Sequence, residues 1–305
     1  MPELPEVETV VRGLRKLLVG RTITRVGIRW AGSIGAPDPD AFIKKLTGQV
    51  IADVSRRGKW VMIKLSGGHT LLVHLRMTGQ LVLEPAACPE DKYTRVILHF
   101  DDGQRLRFSD MRKFGLLILT EDADEVLGEL GPEPLAEDFT VELFKRMLAQ
   151  RRGRIKPLLL NQRFLAGLGN IYANEALWRA GVHPLRSASS LSSREAAALH
   201  HAIRFVLGAA IVKGGTTLEN GNFRHVDGDS GDFASQLEVY GRACELCPRC
   251  GTPVERIRVG QRSTFFCPCC QPIPDDPPRS EGDPRAEQED LCAQGRSNDG
   301  HSPTV

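Results

Sequence analysis

Residues 247–270 read CPRCGTPVERIRVGQRSTFFCPCC. Cys247 and Cys250 form one C-x2-C pair and Cys267 and Cys270 a second, with sixteen residues between them. Each such turn can present two thiolates to one ion. Four soft ligands in a tetrahedron suit Zn2+ and leave no coordination position open for water. The spacing therefore predicts one structural zinc ion at the foot of a β-hairpin whose turn falls near Val259–Gly260. Cys244 and Cys269 are spare and compete less well for the metal, because neither fits the paired spacing. Six of the eight cysteines lie within 27 residues, and in a cytoplasmic chain such clustering favours metal over disulfides. Arg256, Arg258 and Arg262 fall on or near the hairpin, where a metal-pinned turn can hold a cation against a phosphate backbone.

Upstream, residues 214–235 are rich in Gly, Asn and Asp and lack periodicity, which reads as a long flexible loop of the kind that is often functional. Helical spacing governs Val141–Gln150, Ile155–Leu160, Ile171–Ala180 and Ser192–Val212. GPEPLAED at 131–138 reads as a linker. Between 21 and 120 the period changes to short β-forming runs: Thr22–Ile28, Val50–Ser55, Trp60–Leu65, Thr70–Leu75, Gln80–Leu83, Val96–Phe100, Arg105–Phe108 and Leu116–Leu119. Short strands separated by Gly-containing turns suggest a sandwich or barrel. Residues 3–18 lead into them as a helix, with Leu4, Val7, Val11, Leu14 and Leu18 at helical spacing, Pro5 in the first turn and Gly20 at the stop. The expected architecture is α+β and multidomain: 1–130 a β-sandwich with a leading helix, 131–138 a linker, 139–235 helical with the loop, 236–271 the zinc hairpin, and 272–305 an acidic, Pro-rich, disordered tail.

The chain has 305 residues, 41% hydrophobic and 26% charged, as in ordinary globular proteins. No apolar run approaches the roughly 20 residues of a membrane span, and the acids of MPELPEVETV do not suit a signal peptide. A cytoplasmic protein with no membrane partner is expected. Its net charge of +2 conceals an asymmetry: without the last 34 residues, 37 basic and 30 acidic residues leave +7, which suits a polyanion whose counterions are released on binding. The opening MPE has its own chemistry. A small residue after Met favours removal of the initiator, which would leave Pro2 with a free secondary amine. An α-amino group titrates near pH ~8, so part of it is nucleophilic at neutral pH. Glu3, beside it, is placed to move a proton.

At this point a resemblance emerges. MPELPEVETV at 1–10, RRGKW at 56–60, HLRMTGQL at 74–81, SDMRKFG at 109–115, LGPEPL at 130–135, IKPLLLNQRFLAGLGNIYANEALW at 155–178, GGTTL at 214–218, VYGR at 239–242 and QRSTFFCPCCQ at 261–271 together resemble the bacterial formamidopyrimidine-DNA glycosylases, also called 8-oxoguanine DNA glycosylase/AP lyases. The related endonuclease VIII enzymes usually begin MPEGPE; Leu4 and the GLGNIYANE run side with the formamidopyrimidine branch. The resemblance spans residues 1–271 and leaves out the tail.

It implies a helix-two-turn-helix domain over roughly 140–225 and a monomer that acts in base excision repair on double-stranded DNA containing a damaged base. Pro2 would attack C1′ of an oxidised purine nucleoside and form a Schiff base, with Glu3 as proton donor and acceptor. Lys59 would serve β-elimination, and Arg262 would grip phosphate and assist δ-elimination. Met77, Arg112 and Phe114 would fill the gap left by the everted nucleotide, with Arg112 and Phe114 on one face of extended backbone. Tyr93, Arg151, Lys156 and Asn170 would contact phosphate, Asn170 at a Gly-rich helix start. Glu6 and Glu175 would line the active site, and 216–235 would close over the flipped purine. Three departures stand out: Asn161 replaces the usual Asp of LLDQ and would weaken a buried link, Tyr93 replaces a His of some members, and the loop reads DGDSGDF at 227–233, with Asp229 and Asp232 adding charge. Two other readings compete. One is a DNA- or RNA-binding protein that kept the fold without catalysis, which intact Pro2, Glu3 and Lys59 argue against. The other is a preference for oxidised pyrimidines.

Overall fold

The computed structural model describes residues 1–218, 223–226 and 228–273. The tail from 274, with Cys292, and part of the 214–235 segment lie outside the described residues, and with them the expectations of disorder there. Contacts divide the chain into two compact units. The first comprises residues 1–134, 165–167 and 207–236; the second comprises 135–164, 168–206 and 237 onward.

The first unit opens with helix α1 (Leu4–Leu18). Val7, Val10, Val11, Leu14 and Leu18 recur at three- and four-residue spacing and are buried. Each such burial contributes about 1.5–3 kcal/mol before the entropy of ordering is subtracted. Strands β1 (Ile23–Ile28) and β2 (Ile34–Ala36), helix α2 (Pro39–Leu46), and strands β3 (Ile51–Arg57), β4 (Trp60–Leu65), β5 (Thr70–His74), β6 (Gly79–Pro85), β7 (Thr94–Phe100), β8 (Gln104–Asp110) and β9 (Leu116–Thr120) follow, then a single turn of helix, α3 (Asp124–Leu127). They form two sheets, ordered β1-β7-β8-β6 and β2-β9-β5-β4-β3, antiparallel except where β2 runs parallel to β9. Val61, Ile63 and Leu65 of β4 point inward at period two. Residues of both sheets, α1 and α2 share one buried cluster, the expected sandwich core.

All eight expected strands are present. Helix α2, β2 and a 3-10 turn at Ala31–Ser33 were not anticipated. The signal for α2 was present, since Asp38 accepts the amides of Asp40 and Ala41 and Pro39 takes the first turn.

The second unit holds α4 (Val141–Ala149), capped by Thr140, which accepts the Leu143 amide. It also holds α5 (Ile155–Leu160), α6 (Asn170–Ala180), most of α7 (Ser193–Val212), and the hairpin β10 (Glu255–Val259) and β11 (Arg262–Phe266). Helix α6 stops at Gly181, whose φ of 69° is the left-handed conformation common after a helix C-terminus.

Helix α7 corrects one expectation. Its 20 residues, with mean hydropathy 1.3 in an 18-residue window, are long and apolar enough to cross a membrane by length and composition. Within the protein 44% of that window is buried. Ala196, Leu199, Ile203, Val206, Leu207 and Ala210 form the inward stripe, and His201 faces out. That one-sided burial is the pattern of a core helix.

Candidate active site

The N-terminal segment is held from behind. Pro2 and Glu3 are both buried. The Glu3 amide donates to Glu6 Oε2 at 2.7 Å, and the Leu4 amide donates to the carbonyl of Gly167 at 3.0 Å. Gly167 has φ +85°, and a Cβ there would stand 2.7 Å from Leu4, so only glycine lets α1 dock on this carbonyl. The second oxygen of Glu6 accepts the Thr216 amide at 2.8 Å. One buried carboxylate thus ties the residues after Pro2 to the base of the 214–235 segment. That base is closed further by a Thr216–Asp232 bridge and by the Gly231 amide on Thr217 Oγ1. Asp229 and Asp232 are exposed there.

Lys59 is buried at the turn between β3 and β4. The turn is clamped by charge. Glu133 accepts from Arg56, Arg57 and the Gly58 amide, and Arg56 also pairs with Glu8. Burial opposes ionisation of Glu8, but hydrogen bonds and charge from Arg12 and Arg56 outweigh it and hold its pKa below the usual value. The RRGK and LGPEP motifs therefore form one device that presents Lys59. A residue that sequence reasoning missed stands beside it. His74 ends β5, is buried, and packs edge-on against Trp60 at 4.8 Å. Its Nδ1 accepts the Arg76 amide, so Nε2 carries the proton. Burial first, then the charges of Arg76 and Lys59, push its pKa down to about 3. The HLRM motif carried it, but a lone His in an apolar strand has no spacing signal.

Met77, Arg112 and Phe114 come together at the surface. Met77 and Phe114 are 41% and 53% exposed, so neither packs in a core. Arg112 Nη1 lies 3.1 Å from Met77 Sδ, and its guanidinium stacks 4.8 Å above the Phe114 ring. The backbone differs from expectation: residues 111–113 turn, with Lys113 at φ 59°, rather than running extended. The trio meets because the chain curls. Tyr93 is half-buried at the start of β7, its ring beneath Lys92.

In the second unit, α6 organises the hairpin. Asn170, its first residue after Gly169, donates to Ser263 O at 3.1 Å, and Asn174 accepts the Phe265 amide. Lys156 is fully buried, and its Nζ donates to Ser263 O at 2.9 Å and Thr264 Oγ1 at 2.6 Å. In this arrangement its charge faces the hairpin rather than solvent. Glu175 is likewise committed, accepting the amides of Glu238, Val239 and Tyr240, which fixes the VYGR segment. Arg151, Arg256, Arg258 and Arg262 are all exposed at the surface. Arg262 leaves a two-residue turn in which Gly260 and Gln261 both have positive φ, 56° and 61°, the form that matches strand twist. Asn161 is exposed, and its Oδ1 accepts the Arg163 amide. It forms a local turn an Asp would also form, not a buried link.

The thiols of Cys247, Cys250, Cys267 and Cys270 lie within 4.8 Å of one another. Zn–S bonds of about 2.3 Å in a tetrahedron separate sulfurs by about 3.8 Å; Cys247 and Cys270 stand 3.9 Å apart. The four cysteines fit one zinc ion, and Cys244 and Cys269 lie outside the cluster. The Trp178 indole N–H donates to Cys247 Sγ at 3.4 Å, the kind of outer contact that orients a ligand.

Comparison with known proteins agrees with this layout. Residues 1–117 match the family model of the formamidopyrimidine-DNA glycosylase N-terminal domain, 130–221 its H2TH domain, and 245–273 the zinc finger found in FPG and IleRS. Formamidopyrimidine-DNA glycosylase of Herpetosiphon aurantiacus is 48% identical over 274 residues, which cover 89% of this chain and 100% of that one. The enzyme of Desulforamulus reducens is 47% identical over 278 residues, 89% and 99% of the two chains. Among solved structures, Lactococcus lactis Fpg in complex with abasic-site DNA superposes with a TM-score of 0.83 at 37% identity, covering 89% of this chain and 100% of that one. A MutM complex with DNA containing carbocyclic 8-oxo-G gives 0.82, with the same identity and coverage. With such likeness along its length, the chain belongs to the formamidopyrimidine-DNA glycosylase family.

Proposed function

We propose that this enzyme excises oxidised purines from duplex DNA through the nitrogen of Pro2 and then cuts the strand. It is a DNA glycosylase, and AP lyase activity is the behaviour of its family. Once Met1 is removed, the Pro2 lone pair attacks C1′ of the damaged nucleoside. The C1′–N9 bond breaks, and the base leaves with its electron pair and takes a proton. The nitrogen gives up its N–H proton, the C1′–O4′ bond breaks as the iminium forms, and Glu3 protonates the ring oxygen so released. Lys59 serves the β-elimination that breaks the 3′ bond, and Arg262 holds phosphate for the δ-elimination at the 5′ bond.

Eversion of the nucleotide costs a few kcal/mol of stacking and pairing. Met77 and Phe114 fill the vacated space and Arg112 bonds to the orphaned partner base, offsetting part of that cost. Arg151, Asn170 and Tyr93 contact phosphate, and Lys156 and Glu175 support binding by holding the hairpin and the VYGR segment. Glu6 ties the nucleophile to the base of the loop that covers the purine. The zinc ion, held by Cys247, Cys250, Cys267 and Cys270, supplies rigidity to the hairpin and no chemistry. We take the enzyme to act as a monomer in the cytoplasm.

Full-length likeness to curated formamidopyrimidine-DNA glycosylases supports the reaction. The observation that carries the residue roles is the meeting of Met77, Arg112 and Phe114 at the surface, where a core role would have buried them. The test is release of free base and strand cutting from duplex with 8-oxoguanine opposite cytosine. Base release should be lost in Pro2→Gly and Glu3→Gln. Full excision by Pro2→Gly would overturn the reading.

A further inference from the structure

Asp110 ends β8 and is fully buried, yet Met111, Arg112 and Phe114 just beyond it are exposed. The excision roles above leave it unused. Its carboxylate serves two loops at once. Oδ1 accepts the hydroxyl of Thr78 and the amide of Arg112, the latter at 3.2 Å. Oδ2 accepts the amides of Phe114 and Gly115, each at 2.7 Å. Thr78 Oγ1 in turn accepts the Arg112 amide. Asp110 is itself fixed: Arg95 Nε donates to its carbonyl at 2.8 Å, and its own amide donates to Tyr93 O at 2.9 Å.

The loop that carries Met77 and the loop that carries Arg112 and Phe114 are therefore tied to one buried anion. Bonds to an ionised acceptor are shorter and stronger than neutral ones, and burial raises the cost of losing any of them. Each loop also holds a non-glycine residue with left-handed backbone, Arg76 at φ 53° and Lys113 at φ 59°. L-residues do not adopt that conformation without surrounding structure to impose it. The Asp110 bonds fall within two residues of both positions.

We propose that Asp110 is a positioning residue for base eversion, holding Met77, Arg112 and Phe114 as one preformed wedge. The two loops are ordered during folding, so DNA does not have to order them on binding. This rests on the reading of the trio as the wedge, and the test separates the two. Single-turnover excision of 8-oxoguanine paired with cytosine is compared with cutting of a preformed abasic site in the same sequence, where eversion is cheaper. Asp110→Ala should slow the paired lesion at least tenfold and the abasic site by a clearly smaller factor. Met77→Ala should cost much less in the Asp110→Ala background than alone. Asp110→Asn, which keeps one acceptor oxygen, should recover part of the loss. Thr78→Val removes a single bond and should give the same selectivity at smaller size, even if Asp110→Ala fails to fold. Equal slowing on both substrates, or an undiminished Met77→Ala effect, overturns the positioning role and leaves excision by Pro2 standing. No excision by the wild type overturns both.

Discussion

Acidification offers a quantitative test of the environment around Lys59. His74 titrates near pH 6.5 in an unfolded chain but only at about 3 in the folded protein, where burial, Arg76 and Lys59 oppose its charge. Between these values the unfolded chain binds a proton that the folded one refuses. The stability is therefore whole above pH 6.5, falls as pH drops, and levels off near 3. At about 1.4 kcal/mol per unit, the loss assigned to His74 at pH 5 is about 2 kcal/mol. Urea unfolding of the wild type and of His74→Gln at pH 7.5 and pH 5 isolates it. The wild type should lose about 2 kcal/mol more than the variant on acidification, whatever the variant costs at pH 7.5. NMR should find the His74 ring resonances flat from pH 8 to 5. A ring inflection near 6.5, with equal acid sensitivity of the two proteins, would refute the reasoning and show a solvated histidine.

Three further outcomes are expected. One zinc should be found per chain by elemental analysis. Removing it with a chelator, or with Cys250→Ser, should weaken DNA binding at least tenfold and change tryptophan emission through Trp178; unchanged affinity would contradict the hairpin's role. Glu6→Ala strands the buried amides of Glu3 and Thr216 and should cost about 2–6 kcal/mol in chemical denaturation, given about 1–3 kcal/mol per unsatisfied group. Glu6→Gln should recover about half of that, and a Glu6→Ala loss under 0.5 kcal/mol would be evidence against the link. Arg262→Ala should flatten the salt dependence of duplex binding by about 0.9 in log–log slope, the change expected when one fewer phosphate is neutralised; an unaltered slope would remove it from the interface.

The elements most legible in the sequence were those whose signal is local. The strands of the sandwich are short β-forming runs between Gly-containing turns, α1 repeats at helical spacing, and the zinc pairs sit on either side of one hairpin. Helix α2 was missed although Asp38-Pro39 marks its start, because eight residues between strands give too little periodicity. The less legible features depend on distant partners. Lys156 reads as an exposed phosphate contact until Ser263 and Thr264, more than a hundred residues later, receive its ammonium. Glu175 reads as an active-site acid until the amides of 238–240 converge on it. MRKF reads as extended because Arg112 and Phe114, two apart, would then share a face, and it turns because Asp110 captures the amides of Phe114 and Gly115. Motif reading names the residues, and tertiary hydrogen bonds decide which way they face.

The central claim concerns which nitrogen bonds to the sugar. Borohydride reduction during turnover of 8-oxoguanine duplex, followed by digestion and mass spectrometry of the trapped peptide, measures it directly. The account predicts that Met1 is absent and that the deoxyribose remnant sits on the nitrogen of Pro2. A remnant on the ε-amine of Lys59, or an uncleaved Met1 on trapped protein, would contradict it.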